Sequence, residues 1–308
     1  MSQAHASGSP AEGPAPAEAS PPIGRHLPGH IEAALRRSGQ ATDSAGQPWA
    51  GRDLAGRGNP LHNFDQDDGE PDPGYVAAIA ALKSGTGDEV GVHRALASAR
   101  LFVPVVATLA DGGIGEHGFA EDKEADMALV SIKAPDGRSA LPVFSSVDRL
   151  QSWHPDARPV AVFAPRAALS AVAENAQLLV VDPGADITFV VRRPAMWALA
   201  QQRDWTPSYA DESLLPVLQA AADADPAITA LSAAPGPGVA TRAAGGTVIP
   251  GGGPGPELRL NVSLRPGLSQ EQLAEALQRL QRVLGADVEF AARVDSLELS
   301  LQGPAASA

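Results

Sequence analysis

The sequence predicts an α+β protein, with a mixed α/β main domain followed by a small β-α-β-β unit. Three observations lead to this prediction. Between residues 75 and 225, short β-branched runs alternate with segments whose apolar residues recur at helical spacing. A stretch crowded with Pro and Gly follows this region. The alternation then returns on a smaller scale at 257–302, as one strand, one amphipathic helix and two further strands.

The main domain begins with helices. Tyr75, Ile79 and Leu82 recur at helical spacing before Gly85, and a second helix is predicted over about 88–99. The next run, 101–107, reads as a buried strand. Its Pro104 indicates an edge or a bulge, because proline has no N–H to give to a sheet.

The centre of the main domain alternates strands and helices. A Pro-Asp-Gly turn at 135–137 joins two strands. The predicted strands are Met127–Lys133, Ser139–Phe144, Val160–Phe163, Leu178–Val181 and Ile187–Val191. The predicted helices are a short one carrying Val147, Leu150 and Trp153, then Arg166–Ala173, one opened by Pro194, and Ser213–Ala222.

Composition places the boundaries around this domain. Residues 1–44 are predicted to be a disordered or weakly helical tail, because they contain few large apolar side chains. Residues 45–74 are predicted to form an extended lead-in arm on the domain at 75–225. Residues 226–256, rich in Gly and Pro, are predicted to be a flexible linker.

The predicted C-terminal unit spans 257–302. Leu258–Leu264 alternates as a strand, and Ser269 with Gln272 forms a capping box at the start of the helix. Two further strands are predicted at Val288–Ala291 and Leu297–Leu301. Such a half-sandwich leaves one sheet face poorly covered unless it packs on the main domain or on a second copy, so a homo-oligomer through this unit is possible.

Charge and composition exclude several function classes. The net charge of −13 opposes a general affinity for nucleic acid or for an anionic membrane surface. The chain has no cysteine, so disulfides, thiol catalysis and thiolate metal sites are excluded. Neither a membrane-spanning apolar run nor a signal-peptide pattern is seen, and we expect a cytoplasmic protein. Arg far outnumbers Lys, which is typical of GC-rich bacterial genomes.

Four short sequence motifs follow one another along the chain. They are LPVFSS at 141–146 with Leu150 and Trp153, LLVVDPG at 178–184 with Phe189, LRPGL at 264–268, and VDSLELSL at 294–301. In this order they resemble the SseB protein family, with its N-terminal and C-terminal domains. PWAGRDL at 48–54 and DDGEPDPGY at 67–75 resemble the lead-in of actinobacterial members. The resemblance implies the fold and a poorly defined, non-enzymatic role.

The sequence contains few motifs that indicate a chemical activity. A serine hydrolase elbow and a Walker loop are absent, and the seven histidines are scattered. Acidic residues cluster at 65–72 and at 111–126, which indicates either solvated loops or a contact surface for a basic partner. Three tryptophans, Trp153, Trp197 and Trp205, are expected to anchor the core. No cofactor and no metal are expected.

Five residues are candidates for ligand binding. Ser145 and Ser146 fit a helix cap better than a nucleophile, because no neighbouring residue offers a base. Asp182 follows a strand, where sites often form, although it can simply hydrogen-bond its turn. Arg192, beside Arg193, can hold an anion before a helix. Trp153 is the fifth candidate.

Three functional hypotheses follow. The first is a non-catalytic interaction or regulatory protein with an unknown protein partner. The second is a sensor that binds a small, amino-acid-like metabolite between the Ser145–Trp153 turn and the Asp182–Arg193 segment. The third is an enzyme of an unrecognised kind, which requires a convergent polar pocket that a sequence does not show.

Overall fold

The computed structural model describes residue 64 and residues 66–109 and 125–302. The predicted tail at 1–44 and most of the predicted arm at 45–74 lie outside these residues. In the described part, helices and mixed sheets combine, and the α+β prediction is confirmed.

Two helices precede the first strand. Helix α1 (Pro73–Ser84) begins at Asp72, whose side chain accepts a hydrogen bond from the Tyr75 N–H at 3.0 Å. It ends at Gly85, which adopts the left-handed conformation at φ 73°. Helix α2 (Glu89–Leu96) has Asp88 as its N-cap. The sequence patterns placed both helices correctly.

The first sheet is antiparallel and contains β1 (Arg100–Leu109), β2 (Ala125–Leu129) and β5 (Arg158–Phe163), in the order β2-β1-β5. Neither the edge nor the bulge predicted from Pro104 is found, since β1 is the central strand and its pairing with β5 continues through Pro104 without a register shift. Pro104 is tolerated there because it precedes Val105, the first residue of β1 that pairs with β2. On the other side of β1, Pro104 faces Pro159 of β5.

The second sheet carries the site described below. It contains β3 (Ile132–Lys133), β4 (Ser139–Val143), β6 (Leu178–Val181) and β7 (Phe189–Val191), in the order β3-β4-β6-β7. Strands β4 and β6 are parallel, and the other pairs are antiparallel. A reciprocal pair of backbone hydrogen bonds between Phe102 and Phe144 joins the two sheets.

Helices connect and cover these strands. They are α3 (Val147–Trp153), α4 (Ala164–Ala173), α5 (Arg193–Ala200) and α6 (Leu215–Asp223). The main core lies between the two sheets and helices α1, α2, α4 and α5, and it includes the fully buried side chains of Leu82, Leu96, Leu101, Leu179 and Leu199. Helix α3 packs in a separate cluster with Phe102 and Phe144, and α6 packs in the C-terminal core.

The segment 226–256 is ordered, which corrects the prediction of a flexible linker. It forms β8 (Ile228–Pro235), β9 (Ala240–Arg242) and β10 (Val248–Gly252). Strands β9 and β10 pair, and Ile249 is buried in the main core. A Cβ on Gly252 would clash with the ring of Phe189. Glycine is used here for close approach of the backbone rather than for flexibility.

The C-terminal region contains β11 (Leu258–Leu264), α7 (Gln270–Ala286), α8 (Val288–Arg293) and β12 (Leu297–Gln302). The strand predicted at Val288–Ala291 is therefore a helix. Asp287 caps this helix by accepting the Phe290 N–H at 2.8 Å, and the Phe290 ring is buried in the local core. The capping box of Ser269 and Gln272 forms as predicted.

The C-terminal sheet has the order β12-β11-β8, so β8 supplies a third strand that the sequence did not reveal. Leu258, Leu260 and Val262 point from β11 into a core shared with α6 and α7. The alternate residues of β11, Arg259, Asn261 and Ser263, form the opposite face. That face is polar, so it needs no apolar cover.

The C-terminal region docks on the main domain. The Arg138 guanidinium forms an ion pair with Asp295 at 2.7 Å. Arg193, at the start of α5, donates to the carbonyl oxygens of Ala291 and Val294 at 2.6 and 2.9 Å. Within the described ranges, no helix combines the length and apolarity needed to cross a membrane.

Candidate functional site

The candidate site lies where the parallel strands β4 and β6 end. Ser145 and Ser146 come shortly after β4, and Asp182 comes directly after β6. Because these strands are parallel neighbours, their carboxyl ends meet at the same edge of the sheet. Sites in sheets of this kind form at that edge. The fold thus brings Ser145, Ser146 and Asp182 together at this edge, and a fourth predicted residue, Trp153, lines a cleft beside them.

Asp182 is the centre of the site. Its side chain is buried, and its Oδ1 accepts the Ser145 N–H at 2.7 Å. Its Oδ2 accepts a hydrogen bond from the Arg149 guanidinium. The residue adopts the left-handed conformation at φ 54°, which Asp tolerates better than most residues. The carboxylate therefore ties the end of β4 to helix α3.

The two serines hold this arrangement in place. Ser146 is the N-cap of α3 and accepts the Arg149 N–H at 3.3 Å. Ser145 is buried, and its Oγ accepts a hydrogen bond from Arg149 Nη1 at 2.8 Å. A guanidinium has no lone pair with which to take a proton. The sequence leaves the cap open between Ser145 and Ser146; Ser146 is the cap, and the Ser145 hydroxyl binds Arg149 instead.

Arg149 is the residue that sequence reasoning missed. Its Nη1 donates to both Ser145 and Asp182, and its side chain is nevertheless 44% exposed. The other guanidinium nitrogens of Arg149, Nε and Nη2, form no hydrogen bond with the described residues. A usable signal existed, since Arg149 stands three residues after a predicted cap and so must lie close to it.

A cleft of about 510 Å³ opens beside this arginine. Its walls come from α3 and from the turn after β6, and they comprise Asp148, Arg149, Ser152, Trp153, Pro183, Gly184 and Ala185. Trp153 is half-buried and packs on Phe144, with ring centroids 5.3 Å apart. The cleft thus combines a cation, an anion, a hydroxyl and an aromatic wall.

Tyr75 lies beneath the site in the main core. Burial raises the pKa of its phenol well above the usual range, and the negative charge of nearby Asp182 raises it further. Arg149 opposes this effect in part. Tyr75 is therefore a neutral neighbour of the buried carboxylate.

Arg192 does not join the site, and its side chain is sealed in the interior. It forms an ion pair with Glu89 at 2.9 Å and donates to the carbonyl oxygens of Gly238 and Val239 at 3.3 and 3.4 Å. Glu89 also accepts the Gly252 N–H at 2.7 Å. We therefore correct the anion-binding interpretation: Arg192 fastens the segment around β9 and β10 to the main domain.

A second buried carboxylate, Glu257, lies in the same interior. It accepts the backbone N–H groups of Ser208 at 3.0 Å and Asp295 at 3.2 Å. Burial raises the pKa of Glu257, although these bonds and the charge of Arg192 oppose the shift. No local pattern marks this residue in the sequence, because its partners come from distant segments.

The tryptophan expectation holds for Trp205, which is buried, and fails for Trp197, which is 45% exposed on α5. The helical pattern alone predicts a core position for Trp197, because it does not show which face of the helix is buried. Its side chain lines an open groove beside Arg193 and Arg293.

The first acidic cluster is partly engaged within the fold. Asp67 forms an ion pair with Arg100 at 2.7 Å, and Asp72 caps α1. Asp65 and residues 111–124 of the second cluster lie outside the described residues, so the contact-surface interpretation of the second cluster stays a prediction. Among the described side chains, no group of three or more His, Asp or Glu is placed to hold a metal ion.

Comparisons with known proteins return one family. No curated protein and no solved structure matches the chain. A family model does match, and its matched range contains Ser145, Arg149, Trp153 and Asp182. The cleft and the residues that build it therefore lie within residues 76–198, the stretch that matches the SseB protein N-terminal domain.

Proposed function

We propose that this protein is a non-catalytic interaction or regulatory protein that binds a protein partner at the Arg149 cleft, the cleft lined by α3 and the turn at 183–185. The observation that carries the proposal is the state of Arg149. Its guanidinium is fixed by Asp182 and Ser145 at one nitrogen and is exposed at the mouth of the cleft.

A fixed arginine is a good recognition element. Binding normally immobilises a long side chain and loses its rotamer entropy. Here the fold has already immobilised the Arg149 side chain, so less of the interaction free energy is lost when a partner binds. Arginine and tryptophan are also the residue types that contribute most to protein interfaces. Arg149 and Trp153 line the same cleft.

The chemistry of the cleft indicates what the partner presents. A guanidinium binds a carboxylate through paired hydrogen bonds, and the Trp153 ring offers an apolar surface beside it. We therefore expect a segment that carries an Asp, a Glu or a chain terminus next to an apolar side chain. Ser145 is not assigned a nucleophilic role, because its Oγ is held by a guanidinium that takes no proton.

The test compares two matched substitutions on α3. Ser152 is exposed and lines the cleft, whereas its neighbour Gln151 is exposed and does not. Full-length chain, Ser152→Trp and Gln151→Trp are purified with a tag from the native host, and bound proteins are identified by mass spectrometry. A partner retained by Gln151→Trp and lost by Ser152→Trp is expected. Equal recovery with both variants would contradict the proposal.

A second candidate function is the binding of a small, amino-acid-like metabolite. The volume of the Arg149 cleft, about 510 Å³, lies within the usual range for small-ligand sites. Arg149 and Asp148 line the cleft together, and they match the carboxylate and the ammonium of an amino acid. A thermal-shift series with serine and related amino acids tests this candidate, because a ligand of the native state raises the Tm. A shift abolished in Ser152→Trp supports it.

Two expectations from the sequence accompany the proposal. We expect a cytoplasmic protein, and we expect residues 257–302 to be related to the SseB C-terminal domain. Both rest on the sequence patterns alone.

A further inference from the structure

Strand β12 (Leu297–Gln302) lies at an edge of the C-terminal sheet. It pairs with β11 on one side, and among the described residues no strand pairs with its other side. Natural edge strands are commonly protected by Lys, Pro or a bulge. The strand sequence LELSLQ has none of these, and its one charged residue, Glu298, lies 3.9 Å from Arg259 of β11. The edge is therefore open to pairing.

The hydrogen bonds to β11 show which backbone groups face outward. Leu258 is paired with Leu297, and its N–H donates to the carbonyl oxygen of Ser296 at 3.0 Å. In a parallel ladder, alternate residues of a strand point their N–H and C=O to opposite sides. Ser296 and Glu298 therefore point toward β11. Leu297, Leu299 and Leu301 point their backbone groups toward the free edge.

The side chains of these leucines share one face. They lie beside Leu258, Leu260 and Val262, the row of β11 that faces the local core. Leu297 and Leu299 are half-buried, and Leu301 is 47% exposed. The apolar row thus continues from the local core, where Leu297 and Leu299 pack, to the edge of the sheet, where Leu301 is exposed.

We propose that β12 pairs antiparallel with β12 of a second copy of this chain, about a twofold axis at Leu299. In this register Leu299 faces Leu299 of the partner subunit, and Leu297 faces Leu301 of the partner subunit. All the outward-facing backbone groups then meet in hydrogen-bonded pairs. The two three-stranded sheets become one sheet of six strands.

The edge is complementary to itself, which is why the proposed occupant is a second copy. The leucine row of one subunit meets the leucine row of the other on the core face, where cross-strand apolar pairs are stabilising. Glu298 faces Ser300 of the partner subunit on the polar face. A register centred on Glu298 is disfavoured, because it would place two carboxylates directly opposite each other.

Analytical ultracentrifugation of the full chain tests the proposal. We expect a monomer–dimer equilibrium, since an interface built on one strand edge is small. Leu301→Lys removes an apolar contact and adds a charge at the edge, and we expect it to weaken dimerisation at least about tenfold. Val288→Lys is the matched control: it makes the same kind of change at a 79% exposed valine of α8 and should leave the equilibrium unchanged. A wild-type chain that stays monomeric up to about 1 mM overturns the proposal.

Disulfide cross-linking provides a second test that fixes the register. The chain contains no cysteine, so a single introduced thiol reports one position. Residues that face each other across a hydrogen-bonded antiparallel pair have Cα atoms about 5.5 Å apart, within the range of a disulfide. Leu299→Cys should form a covalent dimer on mild oxidation, and Val288→Cys should not. Equal cross-linking of both variants, or none at Leu299→Cys in a folded chain, contradicts the proposed pairing.

Discussion

Two arginine–carboxylate pairs in this protein use the same chemistry in opposite surroundings. Arg149 and Asp182 meet at the carboxyl ends of β4 and β6, where the arginine side chain is 44% exposed and the carboxylate 1% exposed. Arg192 and Glu89 meet inside the fold, where the exposed fractions are 1% and 2%. Both pairs join segments that are far apart in the chain.

The two pairs differ in how much of the arginine remains available for a further contact. The guanidinium of Arg149 is held at one nitrogen and remains in contact with solvent, so it can bind a further group. Arg192 is enclosed by Glu89 and by the carbonyl oxygens of Gly238 and Val239. Its function is to hold the β9–β10 segment on the main domain. A half-exposed pair can thus serve binding, whereas a sealed pair serves stability.

The largest expected effect follows from breaking the sealed pair. Arg192→Ala leaves Glu89 buried without its counter-ion, and such a loss destabilises a fold by about 3–5 kcal/mol. Chemical denaturation of the full chain measures this change in the free energy of unfolding. Arg203→Ala, at an exposed arginine, is the control and should stay within about 0.5 kcal/mol of wild type. Similar free energies of unfolding for Arg192→Ala and Arg203→Ala would contradict the stabilising function assigned to the Arg192–Glu89 pair.

A smaller effect is expected at the exposed pair. Asp182→Asn keeps the size of the side chain and tolerates the left-handed backbone, but it removes the charge that holds Arg149. Water can hydrate the half-exposed guanidinium, so we expect a loss of about 1–3 kcal/mol, below that of Arg192→Ala. The same denaturation experiment ranks the two. Binding of a partner at the cleft should weaken too, because Arg149 is no longer fixed.

The smallest expected effect is a pH dependence from Glu257, the carboxylate near Arg192. Burial raises its pKa in the folded protein, so the folded state binds more protons than the unfolded state between the usual Glu pKa and the raised one. The contribution of Glu257 to the free energy of unfolding is fully present at pH values below the usual Glu pKa. It falls as the pH rises through the raised pKa of the folded state. Comparison with Glu257→Gln isolates the effect: the wild-type stability should decline relative to the variant as pH rises from about 4. A difference that does not vary with pH, or that varies in the opposite direction, would contradict it.

Local rules explain which parts of the fold could be predicted from the sequence. The capping box at Ser269, the Gly85 stop of α1 and the alternation of β11 each depend on residues that are close in the chain. These features formed where expected. Val288 and Phe290 are residue types that favour a strand at 288–291, but the cap at Asp287 and the burial of Phe290 accompany a helix there.

The features that the sequence does not predict depend on contacts between residues that are far apart in the chain. Glycine-rich composition indicates flexibility and close packing equally well, and the contact of Gly252 with Phe189 resolves the choice. Ser145 and Asp182 could be placed together only once β4 and β6 were known to be parallel neighbours. Glu89 and Arg192 come from α2 and the residue before α5, with no local pattern to connect them. Buried pairs of this kind are set by the tertiary fold.

The most direct test of the Arg149 cleft as a docking site is position-specific photo-crosslinking in the native host. A photoreactive amino acid is placed at position 152, which lines the cleft, or at position 151, which is equally exposed and does not. Our account predicts a discrete cross-linked protein from position 152 that is absent or much weaker from position 151. The same products from both positions, or none from position 152 in a folded chain, would contradict it.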